Sequence, residues 1–204
     1  MVKIKKRVYI ASDPVEIRLL ANFIHEQLFQ MLWEQPMTEA QLSAKLGLTR
    51  GAIGYHLNQL KKADLIYLTK IEPEKHGILQ KFYSPIASCI IIDYNKTPDP
   101  LKRYFIQKQI EHLRGVLTVL KLSNHFSGIT SENLEKFAVA MLKQLKITCK
   151  NYEEGPVGNN VEDFKIKIYA EALENLFDPN EQLDSYNTIA KHIRKLLPIN
   201  NRIL

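Results

Sequence analysis

The chain has 204 residues, of which 45% are hydrophobic and 25% charged, and 28 Lys and Arg against 22 Asp and Glu give a formal net charge of +6. That is ample apolar material for one large packed domain or two small ones. No segment reaches the roughly 20 apolar residues that a membrane span needs, and the basic run Lys3–Arg7 precedes no long apolar core, so neither a signal peptide nor a membrane-spanning helix is expected and the protein is expected in the cytoplasm.

The basic surplus leans to one side. Residues 1–86 carry twelve Lys and Arg against eight Asp and Glu, and residues 87–204 carry sixteen against fourteen. A basic first half is what phosphate neutralisation on a nucleic acid would require.

In chain order, Asp13, Pro14 and Glu16 form a helix start, with a cap, a proline at the first position and an acid in the first turn. Pro36 stops the next helical run. Thr38 and Gln41 have the spacing of a capping box. They open a short helix with Leu42 and Leu46 on one face, and Gly47 fits its left-handed end. Leu48 turns inward and Thr49 caps a second helix, Arg50–Ala63, whose Ile53, Leu57 and Leu60 form one buried stripe.

The rest of that second helix carries Arg50, Gly51, Gly54, Tyr55, Asn58, Gln59, Lys61 and Lys62. Arg, Asn and Gln have the forked donors that match guanine and adenine edges. Two helical glycines cost about 1 kcal/mol each relative to alanine, a cost that makes sense for a helix lying close against a groove floor. His56 sits beside the buried stripe, and packing and donation to a phosphate are equally open for it.

After Asp64, β-formers fill Leu65–Lys70 and Leu79–Tyr83, with a turn rich in Pro and Gly over residues 71–78. The result is a hairpin whose Lys70, Lys75, His76, Gln80 and Lys81 can reach phosphate, opposed by Glu72 and Glu74. Helix, turn, helix and hairpin in this order spell a winged helix-turn-helix.

The run from Leu48 to Ile66, with Ile53, His56-Leu57, Leu60 and Ala63-Asp64-Leu65-Ile66, resembles the recognition helix of ArsR-like winged-helix regulators. Lys81-Phe82-Tyr83 is similar to the strand that closes the wing in that family. Val8–Pro14 and Leu19–Leu32 resemble the opening strand and helices of the archaeal type, so the likeness spans residues 8–85. Asp64 stands where the family has Gly, and His25-Glu26-Gln27 stands where it has an arginine. The resemblance implies double-stranded DNA as partner. Metal-sensing members carry a Cys-x-Cys on the helices of the motif, and this chain has no cysteine there.

Beyond Pro85 the texture changes. Ile90-Ile91-Ile92 suits a strand or a buried connector, and Tyr94–Pro100 reads as a linker. Ile106, Ile110, Leu113, Leu117 and Leu120 then recur at four, three, four and three, a short coiled-coil-like seam that can hold a second subunit or pack on its own chain. Ser123–Thr130 breaks this helix. Further amphipathic helices follow around Leu134–Leu145, Val161–Leu176 and Leu183–Leu197.

The expected fold is therefore mainly α with a small β-wing. A winged-helix DNA-binding domain occupies 1–86, a connector 87–100, and a helical bundle 101–204 serves dimerisation or an unidentified small-molecule effector. Catalytic motifs are missing: the chain has no Gly-rich phosphate loop, no Gly-x-Ser-x-Gly and no His-x-x-x-His or Cys-x-x-Cys pair. No enzyme activity, metal or cofactor is expected, and Cys89 and Cys149 read as two buried thiols. The function expected is sequence-specific binding of duplex DNA by a homodimer. A winged helix used for protein docking and a sequence-independent architectural DNA binder are the competing readings.

Overall fold

The computed structural model describes residues 6–73, 79–122, 130–154 and 160–176, with side chains described up to Gly115 in the second of these stretches. The order of elements is β1 (Lys6–Ala11), α1 (Pro14–Leu20), α2 (Phe23–Glu34), β2 (Met37–Thr38), α3 (Glu39–Leu46), α4 (Arg50–Lys62), β3 (Ile66–Pro73), β4 (Leu79–Pro85), β5 (Ala87–Ile92), α5 (Asp99–Leu122), α6 (Ser131–Lys150) and α7 (Val161–Leu176). This is a mainly helical chain with a small antiparallel sheet after the helix-turn-helix, as the sequence predicts.

Local chemistry sets the boundaries of the first half. Asp13 and Thr38 each form a complete capping box, with Glu16 and Gln41 returning the bond. Gly47 ends α3 at φ +66°, and Thr49 Oγ1 accepts from the Ala52 amide to start α4. The end of α4 is less comfortable. Leu65 N–H reaches back to the Leu60 carbonyl, which forces Asp64 to φ +54°, a left-handed conformation that favours glycine. The departure from the ArsR-like pattern at this position thus falls where it strains the backbone.

The winged-helix core gathers Leu28, Phe29 and Leu32 from α2, Met37, Leu42 from α3, Ile53, Leu57 and Leu60 from α4, and Leu65 and Ile66. Each such side chain contributes on the order of 2 kcal/mol by leaving water. The wing is a three-stranded sheet in the order β2-β4-β3, with a bulge between Leu68 and Lys70. The wing tip, with Lys75 and His76, lies outside the described residues.

Residues 87–100 are not a free connector. Ala87–Ile92 is a strand that pairs in parallel with β1, Val8 opposite Cys89 and Ala11 opposite Ile92. Asp93 then caps a 3-10 turn at Tyr94–Lys96 and binds Lys146 of α6 at 2.7 Å while itself almost fully buried. The first strand of the chain is thereby built into the second half. Ala11 and Ile17 join Ile92, Phe105, Ile106, Ile110, Leu113, Leu134, Phe137, Ala138, Met141, Leu142, Ala172 and Leu173 in a second core. Tyr9 and Leu20 touch both cores.

Two expectations about this half change. Ile106, Ile110 and Leu113 face the chain's own α6 and α7 and are nearly fully buried there, so these three do not form an open seam for a second subunit. The side chains of Leu117 and Leu120, and the whole fourth helix expected around Leu183–Leu197, lie outside the described residues. Cys89 and Cys149 are both buried, as read from sequence, but they also meet: their thiols share a hydrogen bond, which together with burial pushes the Cys149 thiol up.

Candidate nucleic-acid interface

One side of α4 is core and the other is open. Ile53, Leu57 and Leu60 are buried, while Arg50, Gly51, Tyr55, Asn58, Lys61 and Lys62 are exposed, with Thr49 exposed at the cap. Tyr55 is 62% exposed, unusual for so large a ring, and its hydroxyl accepts from Gln59 Nε2 at 2.9 Å. This bond braces Tyr55 and half-buried Gln59 as a pair. Lys61 and Lys62 also lie in the last turn, where cations are favoured by the helix dipole. The open face thus offers a guanidinium, an amide, an aromatic hydroxyl and two ammonium groups on a rigid helix.

The two glycines differ. A Cβ on Gly51 would meet nothing within 4 Å, so this position gives the open face room for close approach. A Cβ on Gly54 would come 2.9 Å from Glu39 Oε2. That contact is with the far end of a flexible side chain, so Gly54 is partly covered by Glu39 of α3 where Gly51 is open. Sequence spacing alone does not reveal this, because Glu39 comes from the preceding helix.

His56 is also not on the open face. It is half-buried on the flank towards α2, with Nδ1 3.0 Å from His25 Nε2, and His25 Nδ1 lies 2.9 Å from the Leu19 carbonyl oxygen. His25 is 1% exposed, and burial holds its ring below the ordinary histidine range. Sequence reasoning lists His25 only as a departure from the family's arginine. The signal that it faces α4 is its place on the buried stripe with Leu28, Phe29 and Leu32.

On the wing, Lys81 is exposed and Gln80 half-exposed, while Lys70 is tied to Glu72 at 2.7 Å and lies over the Phe82 ring. The wing's charge is therefore partly spent within the wing. Among the described residues no group of three or more His, Cys, Asp or Glu is placed to hold a metal ion, and no helix is long and apolar enough to cross a membrane.

A helix-turn-helix with its second helix exposed and a β-ribbon beside it defines a winged helix-turn-helix protein. Residues 27–67, from α2 into β3, match the family model described as bacterial regulatory protein, arsR family, so this segment is an ArsR-like helix-turn-helix, the domain of a DNA-binding transcriptional regulator. No curated protein matches the chain.

Proposed function

We infer that the protein is a sequence-specific regulator that lays α4 in the major groove of duplex DNA. The observation that carries this reading is the row Arg50, Tyr55, Asn58, Lys61 and Lys62, held exposed on a helix whose other side is locked into the core. In the proposed complex Arg50, Tyr55, Asn58 and Gln59 read base edges, and Gly51 lets the backbone come close. Thr49, His56, Lys61 and Lys62 contact phosphate, as do Lys70, Lys75, His76, Gln80 and Lys81 from the wing flanking the groove.

The protein acts in the cytoplasm as a homodimer, since a two-fold pair of α4 helices about 34 Å apart matches a palindromic site. With Ile106, Ile110 and Leu113 spent inside the chain, the two-fold contact falls to surfaces outside that stripe. An effector, if one acts, binds the helical half.

The test is a fluorescence-anisotropy titration with two duplexes, the DNA upstream of the protein's own gene and a scrambled copy, each at low and near-physiological salt. Tighter binding to the upstream duplex at both salts is the expected result. Equal binding that collapses with salt would transfer the protein to the architectural class. No binding at low salt would transfer it to protein docking.

A further inference from the structure

The chain has two cysteines, and the fold brings them together. Cys89 lies within β5, opposite Val8 of β1, and Cys149 lies in the last turn of α6. With Val8 and with Ile168 of α7 they form a small buried cluster apart from the two large cores. Apolar neighbours alone satisfy a structural cysteine. Here each thiol also has the other as hydrogen-bond partner.

The two sulfurs sit in different fields. The charged group beside Cys89 is the half-buried Lys165 of α7, whose Nζ lies over the Trp33 ring at 3.6 Å and 3.8 Å from Glu162. The charged groups beside Cys149 are Glu153 and Glu171, and Glu171 also accepts from the Tyr152 hydroxyl. A cation at one end and carboxylates at the other give the pair a direction, with Cys149 donating its S–H and Cys89 accepting. That bond, helped by Lys165, holds the Cys89 thiol below the ordinary cysteine range although burial opposes it. The same bond, together with burial, pushes the Cys149 thiol up. A thiolate is the nucleophile, so Cys89 is the attacking sulfur and Cys149 the one that keeps its proton.

Access runs in the same order. Cys89 is 7% exposed and Cys149 0%. So narrow an opening suits an oxidant near the size of water and closes the pair to bulky disulfides.

We propose that Cys89 and Cys149 are an oxidation site: Cys89, beside Lys165, attacks a small hydroperoxide, and Cys149 converts the product into a disulfide that staples β5 to the last turn of α6. With hydrogen peroxide, the Cys89 thiolate forms an S–O bond as the O–O bond breaks. The hydroxide released takes up the proton that Cys89 gave up and leaves as water. The Cys149 sulfur then attacks the Cys89 sulfur, and the hydroxyl group departs with the Cys149 proton as a second water. Two thiols are oxidised to one disulfide and one peroxide is reduced to two waters. A disulfide spans about 2 Å between sulfurs, so thiols already in hydrogen-bond contact have a short gap to close.

Burial alone and a built site predict opposite rates, which makes the test direct. Full-length protein is treated with hydrogen peroxide, folded and in urea, and the reaction is stopped at intervals for intact-mass and peptide mapping. The folded chain loses two hydrogens several-fold faster than the unfolded one. Mapping without reductant joins the Cys89 peptide to the Cys149 peptide within one molecule, and dithiothreitol restores both thiols. Cys149→Ser gains oxygen at Cys89, whereas Cys89→Ser leaves Cys149 unmodified. Lys165→Gln slows the reaction several-fold and Lys165→Arg keeps most of the rate. Far-UV circular dichroism reports whether each variant folds, and the wild-type comparison decides whatever the variants do.

A folded chain that oxidises more slowly than the unfolded one, a disulfide that joins two molecules, oxidation of Cys149 in folded Cys89→Ser, or an undiminished rate in folded Lys165→Gln would overturn the proposal. The experiment contains no DNA, so its result is independent of the DNA-reading function.

Discussion

The core beneath α4 draws its buried side chains from one unbroken stretch, Leu28 to Ile66. The core beneath α6 takes Ala11 and Ile17 from the start of the chain, Ile92 from its middle and the rest from α5, α6 and α7. The first is held by neighbours in sequence and the second by partners far apart. The difference teaches where local sequence grammar is enough. Caps, turn residues and periodicity specify the winged helix almost element by element. They specify α5, α6 and α7 as helices but do not say what each helix packs against.

The two cores are also joined. Trp33 of α2 donates to the Ala87 carbonyl at 2.9 Å and carries Lys165 of α7 over its ring at 3.6 Å, and Glu26 of α2 pairs with Lys108 of α5. Helix α2 thus holds the recognition helix through His25 and the second half through its neighbours. Removing apolar mass from either core tests this union. Phe137→Ala, at a ring that is 1% exposed, is expected to cost about 3–5 kcal/mol, and Leu57→Ala about 2–5 kcal/mol. In urea, fluorescence of the single tryptophan, Trp33, and far-UV circular dichroism will give coincident transitions for both variants. Two separated transitions would split the molecule into independent units.

Asp93→Ala aims at the joint between the first strand pair and α6. It removes the buried partner of Lys146 and the cap of the 3-10 turn, and a loss of about 3 kcal/mol is expected from the same urea curves. An effect within the noise would mean that the strand pair and α6 hold together by apolar contact alone.

On the other side of the comparison, Arg50→Ala leaves the fold intact because the side chain is exposed. It is expected to cost about 1–3 kcal/mol of binding to the specific duplex and less on the scrambled one. Lys62→Ala should weaken both alike and flatten the salt dependence by about one unit. Equal losses on both duplexes for Arg50→Ala would end its base-reading role.

A smaller effect appears in acid. His25 has its folded pKa lowered by burial, so the unfolded chain takes the proton first. Stability is therefore full above the ordinary histidine value of about 6.5 and is lost as pH falls below it towards the folded value. Urea midpoints measured down this range will fall in the wild type and fall less in His25→Gln. The smallest effect is at Asp64. Glycine relieves the left-handed strain but adds chain entropy, so Asp64→Gly is expected to gain under about 1 kcal/mol in thermal unfolding.

The open face of α4 was legible because exposure on a helix follows from spacing once the buried stripe is known. Arg50, Tyr55, Asn58, Lys61 and Lys62 fall where the 3.6-residue period puts them. The parts that were not legible depend on a second element. The cover over Gly54 comes from Glu39, His56 meets His25, and Ile106, Ile110 and Leu113 needed α6 to decide between a dimer seam and an internal core. A heptad-like stripe reads the same whichever partner covers it. Ile90-Ile91-Ile92 carries β-branched residues that suit a strand, but nothing local in it points to a parallel partner at Lys6–Ala11, some eighty residues earlier.

The most direct test of the central claim is to map the surface that meets DNA. Backbone amide spectra recorded while the upstream duplex is added should show the largest shifts along residues 49–62, with smaller ones at Lys70 and Lys81 and little change on α6 and α7. Shifts centred on α6 and α7 with α4 unmoved would contradict the account, because they would show that the exposed face of the recognition helix is not what the DNA touches.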